Sequence, residues 1–234
     1  MYKQHIILDF EMNPVPKKSS SVRQCLRREI VEIGAVKLNE RYEEVDRFSC
    51  FVKPQYSTDV ADYITKLTGI RNSDVQQAIS FEEAVVALRQ WIGGDATRIY
   101  SWSACDLIQL RTECDYKGIL FPDNMGRWVD FQPLYPRFMG IDQRKPLMSL
   151  CEAAEWYGVT MDTKKAHRAL YDAEITANLV KPILTGDYRK QRECLKQTII
   201  KQEHTYSGMS LGDACGGVLN QLLKRMMAEP EFAR

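Results

Sequence analysis

Residues Ile6-Ile7-Leu8-Asp9-Phe10-Glu11 set two carboxylates at the end of an apolar run with the length and composition of an interior β-strand. Alternate residues of a strand share a face, so Asp9 and Glu11 point one way while Leu8, Phe10 and Met12 point the other. A strand apolar on both faces belongs inside a covered sheet, where an unpaired charge is costly. Two close carboxylates also repel, which drives one of them to stay protonated. A bound divalent cation removes both penalties. Taken alone, Asp-x-Glu is more simply read as a strand that stops at Leu8, with both acids solvated in a loop. Other parts of the chain reverse that reading.

With 234 residues, 44% of them hydrophobic, the chain can bury a full core as one large domain or one domain with an appendage. No apolar run approaches the ~20 residues that span a bilayer, so the expectation is a soluble, unexported protein with no membrane partner. Cysteines at 25, 50, 105, 114, 151, 194 and 215 form an odd set without a Cys-x-x-Cys pair. That argues against a disulfide framework or a zinc ribbon and for a reducing cytoplasm. The net charge of +1 gives no global field to steer a polyanion, so affinity for nucleic acid must come from local patches. One lies between Pro14 and Arg28, where Lys17, Lys18, Arg23, Arg27 and Arg28 surround a Ser19-Ser20-Ser21 run that suggests a mobile loop. Lys164, Lys165 and Arg168, flanking His167, form a second. Either patch by itself is an ordinary solvated surface; their closeness in sequence to the acids favours phosphate contact.

The element order is that of an α/β protein. Strand signals cover residues 4–12, 30–39, 45–52 and 98–102, with a loop from Pro54 through the Leu67-Thr68-Gly69-Ile70 turn. A helix over 80–93 opens on Ser80 with Glu82 and Glu83 in its first turn and closes at Gly93-Gly94. Further helices are predicted over 105–117, 130–138, 147–157 and 168–185. Asp106 falls where a strand hands over to a helix. It is an acceptable first-turn acid behind a Ser103 cap, and it is also where open α/β folds place ligand groups. Asp172 lies on the apolar stripe that continues through Ile175 or Thr176, Leu179 and Ile183, which makes it another buried acid. His167 is five residues earlier, about 140° around an ideal helix. To converge with Asp172 it must sit on the preceding loop or a frayed first turn. There it reads as a general base beside a metal site, or as a surface histidine next to two lysines.

The order Asp9-x-Glu11, Asp106, His167-x4-Asp172 resembles the DEDD superfamily of 3′-to-5′ exonucleases, in the subgroup with histidine in the third motif that includes ribonuclease T, oligoribonuclease and the proofreading epsilon subunit. The surrounding text is similar too: Glu29-Ile30-Val31-Glu32-Ile33-Gly34, Leu67-Thr68-Gly69-Ile70, Val129-Asp130-Phe131 and His167-Arg168-Ala169-Leu170-Tyr171-Asp172-Ala173. The first and third of these are most like the branch of histone-mRNA and small-RNA-trimming exonucleases. Coverage runs from about residue 4 to 185. Trp102-Ser103 departs from the Trp-Gly common in relatives.

The resemblance implies an RNase H-like fold, a five-stranded mixed sheet flanked by helices, over residues 1–186. It implies two Mg²⁺ or Mn²⁺ ions, with Asp9 shared between them, Glu11 and Asp172 completing the water-activating position, Asp106 supporting the second ion and His167 accepting the proton. Phe10, Met12, Leu67, Thr68, Trp102 and Arg168 are the implied contacts to a single strand with a free 3′-OH. Residues 187–234 lie outside the resemblance. Leu211, Cys215, Val218, Leu219, Leu222, Leu223 and Met226 fit one helical face, so a C-terminal helical extension is expected to pack on the domain or form a homodimer. A docking arm is the other reading. Two different functional classes stay open: a non-catalytic RNase H-like binding module and a proofreading DNA exonuclease.

Overall fold

The structure is a computed structural model that describes residues 2–141, 146–190, 192 and 193. The chain divides into two compact units, one made of Met1–Phe131 with Met161–Asn178, the other of Gln132–Thr160 with Leu179–Arg234. The expected C-terminal helix and its apolar face lie outside the described residues.

In the first unit the strands are β1 (Gln4–Pro14), β2 (Arg28–Asn39), β3 (Glu44–Lys53), β4 (Ile79–Ser80), β5 (Thr97–Ser101) and β6 (Trp128–Asp130). They form one mixed sheet in the order β4-β3-β2-β1-β5-β6. The sheet therefore has six strands where five were expected. The extra one is the two-residue β4, which runs parallel to the end of β3 through Val52↔Ile79 and Lys53↔Ser80 and is too short to show a sequence period. Strand β6 and the turn after it correct the helix expected over 130–138: Trp128, Val129 and Asp130 pair with β5. Gln132, Pro133 and Leu134 form a turn, and in the second unit a short helix α6 forms only over Tyr135–Met139, with α7 over Leu150–Tyr157. Between Pro54 and the helix that opens at Ser80, where a loop through the Leu67–Ile70 turn is expected, lie two short helices, α2 (Asp62–Thr68) and α3 (Asn72–Gln76). Gly69, with φ 77°, ends α2, so the Leu67–Ile70 turn is the carboxyl cap of a helix.

The segment between β1 and β2 is also more ordered than its composition suggests. Ser20–Cys25 form a short helix, α1, and the flanking Val15 and Leu26 are both fully buried. Helix α4 (Phe81–Ile92) has the expected start, with Ser80 and Glu83 exchanging side-chain and backbone bonds in a capping box. It packs Phe81, Ala84, Val85, Leu88 and Ile92 into the main core with Ile6, Leu8 and Phe10 of β1, Ile33 and Ala35 of β2, and Leu110 and Cys114 of helix α5 (Cys105–Lys117). Burying each such side chain contributes about 1.5–3 kcal/mol. A smaller cluster of Val31, Val60, Ile64, Ile70 and Val75 seats α2 and α3.

Register explains the placement of the acids. Asp9 pairs with Gly34 and Glu11 with Glu32 across the antiparallel β1–β2 ladder, so these four residues share one face. Past Glu11 the register shifts, because Val31 is an extra residue on β2. The shift brings Ile30 opposite Met12 and into the main core. Glu29, fully buried, accepts the backbone N–H groups of Gln55, Tyr56 and Ser57 and an ion pair from Lys117 at 3.3 Å. Lys117 also pairs with buried Glu113 at 2.8 Å, and Glu113 accepts the Ile30 N–H at 2.9 Å. The inner end of β2 is thus locked to α5.

Gly34 is required by space. A Cβ there would lie 2.0 Å from the Leu170 nitrogen and 2.1 Å from the Ala169 carbonyl carbon, both backbone atoms at the start of helix α8 (Ala169–Thr185). Gly34→Ala is expected to lower stability by about 1–3 kcal/mol and to displace that helix. Thermal unfolding together with divalent-cation titration checks this, and wild-type values for both would contradict it.

Candidate active site

Strand β1 outruns its parallel neighbour. Its pairing with β5 ends at Ile7↔Tyr100, so beyond that point the β5 side of β1 has no strand to bond to. Asp106, in the first turn of α5, fills the gap: its Oδ1 accepts the Phe10 N–H at 3.1 Å. One buried carboxylate thereby satisfies the backbone between Asp9 and Glu11 and stands beside both. Ser103 helps start the helix by accepting the Cys105 N–H, although the capping residue itself is Ala104.

The third motif is fixed residue by residue. Arg168 forks onto Glu32, with its Nη2 at 2.7 Å, and the Ala169 N–H donates to the same carboxylate at 3.1 Å. Leu170 brings its backbone over Gly34. The Tyr171 hydroxyl accepts the Asp162 N–H at 2.6 Å, tying the preceding turn to the helix. The His167 backbone N–H faces the Asp172 carboxylate and favours its charged form. His167 sits in that turn with φ 62°, outside the helix, as convergence with Asp172 demands. Carboxylate oxygens of Glu11 and Asp172 and a ring nitrogen of His167 all lie within 4.8 Å of one another.

Electrostatics mark the cluster as short of positive charge. The Asp9 carboxyl is held well above its ordinary range by burial first, then by Asp106, Asp172, Glu11 and Glu32. It is the member on which the other three acids converge. Glu11 is pushed up to about 8 by burial, then by Asp172, Glu32 and Asp106, with Arg168 opposing. Asp106 rises to about 7 through burial, relieved by the hydrogen bond from Phe10 and raised again by Asp130. Asp172 rises to about 6, also through burial. Its buried Oδ1 has no hydrogen-bond partner among the described residues. An unpartnered buried carboxylate oxygen inside a group of acids, all hard oxygen donors, fits divalent cations coordinated by Asp9, Glu11, Asp106 and Asp172.

Glu32 and Asp130 were not singled out from sequence, although both lie in stretches that carry the family resemblance. Strand register is the signal that would have found Glu32. Of the expected substrate contacts, Leu67 is half exposed, Arg168 is partly exposed although paired, and Met12 is half-buried. Phe10, Thr68 and Trp102 are buried. The Phe10 ring packs edge-on against Trp128, Trp102 packs near Phe131, and the Thr68 hydroxyl donates to Ile64 and accepts from Ile70. All three side chains are thus packed within the core. Tyr63, one turn before Leu67 on α2, is 60% exposed.

A mixed sheet with buried carboxylates gathered along its central strand, where that strand outruns its parallel neighbour, is an architecture suited to divalent-metal chemistry. The family model described as Exonuclease matches residues 6–180, and the chain belongs to that family. Its members depend on divalent metal. The chain is 30% identical over 176 residues to the probable 3′-5′ exonuclease KapD of Bacillus subtilis, covering 75% of this chain and 82% of that one. It is 27% identical over 239 residues to mouse ERI1 exoribonuclease 2, covering 91% of this chain but only 33% of the relative, so it spans about a third of that protein's length. Among solved structures, the nuclease domain of 3′hExo, a DEDDh family member bound to rAMP, shares the fold with a TM-score of 0.68 at 22% identity, over 79% of this chain and 93% of that one.

The raised carboxyls make metal-free stability depend on pH. Glu11 titrates from an ordinary value of 4.5 to about 8 in the fold and Asp172 from 3.8 to about 6, so between about pH 4 and 8 the folded state binds more protons than the unfolded one. Stability contributed by the protonated acids is present at the low end and lost as pH rises. The melting temperature of metal-free protein should fall from pH 5.5 to 8, and a divalent cation should raise it more at pH 8. Glu11→Gln should flatten the profile, which separates this effect from His5, whose lowered pKa has the opposite slope. A wild-type profile as flat as the variant's would contradict the assignment.

Proposed function

We propose that the chain is a 3′-to-5′ exonuclease that releases nucleoside 5′-monophosphates one at a time from single-stranded nucleic acid, using two Mg²⁺ or Mn²⁺ ions. The observation that carries this reading is the convergence of Asp9, Glu11, Asp106 and Asp172 with His167 at the end of β1. When bound, such ions supply charge stabilisation for phosphoryl oxygens and a more acidic attacking water. Asp9, Glu11, Asp106 and Asp172 hold them. His167, exposed on its turn beside Glu11 and Asp172, takes the proton from the attacking water and returns it to solvent. The 3′-oxygen of the next residue leaves, and the released nucleotide keeps the 5′-phosphate.

Tyr63 and Leu67 project from adjacent turns of one face of α2. The Asn13 side chain binds α2 to β1: its Oδ1 accepts the Ala61 N–H, two residues beyond Glu11. This exposed apolar pair supports stacking of the terminal bases, a contact every base can make. RNA is the first substrate to test, since mouse ERI1 exoribonuclease 2 is named for it. A binding module without catalysis remains the second reading, and the same experiment separates the two.

A linear single strand with a free 3′-OH should shorten stepwise from that end in Mg²⁺ or Mn²⁺, and covalently closed circles should resist. Equal cleavage of circles would make the protein an endonuclease. Binding without cleavage of any RNA or DNA would favour the module. His167→Asn, which tolerates positive φ, should keep divalent-cation affinity and lose about 10²–10⁴-fold in rate. Calorimetric titration decides its role, because a parallel loss of cation affinity would make His167 a ligand.

A further inference from the structure

The segment Val15–Arg28, which runs from the end of β1 through the first residue of β2, carries five cations and no acid. Set against a net charge of +1 for the whole chain, that leaves the remainder at −4. This arm is the richest acid-free run of positive charge in the sequence, ahead of the smaller Lys164-Lys165 pair beside His167. Lys17, Lys18, Arg27 and Arg28 are exposed, and none of them is ion-paired among the described residues. Arg23 instead braces the arm, donating from Nη1 to the Val15 carbonyl at 2.9 Å.

The arm is built to hold those charges in place. Val15 and Leu26 are fully buried, the Val15 N–H donates to the Arg27 carbonyl at 3.0 Å, and α1 spans the tip. Its base is joined to the catalytic helix: Gln109, one turn after Asp106 on α5, donates to the Arg28 carbonyl at 2.8 Å and to Glu113 at 2.9 Å. Lys18 lies seven positions after Glu11, a reach of at most about 25 Å, or a few nucleotides of chain.

Resting on the exonuclease reading above, we propose that this arm binds the sugar-phosphate backbone of the substrate strand a few nucleotides 5′ of the terminus being hydrolysed. Phosphate contact by unpaired lysine and arginine is independent of base identity and strongly salt-dependent. The arm thus makes the enzyme prefer strands long enough to reach it.

The test uses the full chain and a 5′-labelled oligomer of about 20 nucleotides in EDTA, with affinity followed by fluorescence anisotropy between about 50 and 200 mM salt. Lys17→Gln/Lys18→Gln/Arg27→Gln should reduce the slope of log affinity against log salt by about 2, since each single-strand phosphate contact contributes about 0.7. With metal present, KM for the long oligomer should rise about tenfold at unchanged kcat, while a trinucleotide is hydrolysed as by wild type. Lys17→Arg/Lys18→Arg should retain the wild-type slope. The control Lys3→Gln/Arg41→Gln, which neutralises exposed cations elsewhere, should leave slope and KM unchanged. An unaltered slope in the triple variant, an equal loss in the control, or an equal loss on the trinucleotide would overturn the proposal. If wild type hydrolyses no oligomer, the exonuclease reading fails, and the metal-free anisotropy still decides whether the arm binds the strand.

Discussion

Mutual repulsion among carboxylates at one end of β1 is the constraint around which the first unit is organised. Asp9, Glu11, Asp106 and Asp172 are all held above their ordinary carboxyl range, by burial and by the negative charge of one another and of neighbouring Glu32 and Asp130. Nothing apolar could hold such a set together. The fold does it with backbone donors and one guanidinium: the Phe10 N–H on Asp106, and Arg168 with the Ala169 N–H on Glu32, while the His167 N–H faces Asp172. These fix where each acid stands without neutralising the group as a whole. The remaining deficit of positive charge is what a divalent cation supplies.

The same logic separates the acids by task. Glu29 and Glu113 are as deeply buried as any carboxylate among the described residues, yet Glu29 is held by three backbone N–H groups, Glu113 by one and the Gln109 amide, and both by the shared Lys117. Their role is to hold β2, α5 and the 55–57 turn in register. Asp172, by contrast, keeps an oxygen unsatisfied. Counting hydrogen-bond partners therefore distinguishes structural acids from those left open for chemistry, where burial alone does not.

Much of this was legible in the sequence because strand parity and helical spacing are properties of the backbone. Asp9 and Glu11 share a face, and Asp172 lies on the buried stripe with Ile175, Thr176 and Leu179. His167 had to leave the helix to approach Asp172, and its turn does so. Ser80 and Gly93 bounded α4 by capping chemistry. What stayed hidden depends on pairing or on lengths below one period. Glu32 enters the site only through its register with Glu11, which no local pattern encodes. Helices α2 and α3 are seven and five residues long, and β6 is three, too short for periodicity to declare itself. The serine-rich arm read as mobile because composition does not reveal that Val15 and Leu26 anchor it.

The left-handed backbone at His167 restricts how this chain can diverge. Asparagine, aspartate and glycine take that conformation readily, whereas β-branched side chains strain it. A descendant that gave up hydrolysis but kept its grip on a strand would most easily pass through one of those three residues, with the turn, the Asp162 to Tyr171 tie and the start of α8 intact. Valine, isoleucine or threonine at the same place would instead signal that the turn itself had been rebuilt. The identity of a single residue thus records whether a lineage lost its chemistry or its architecture first.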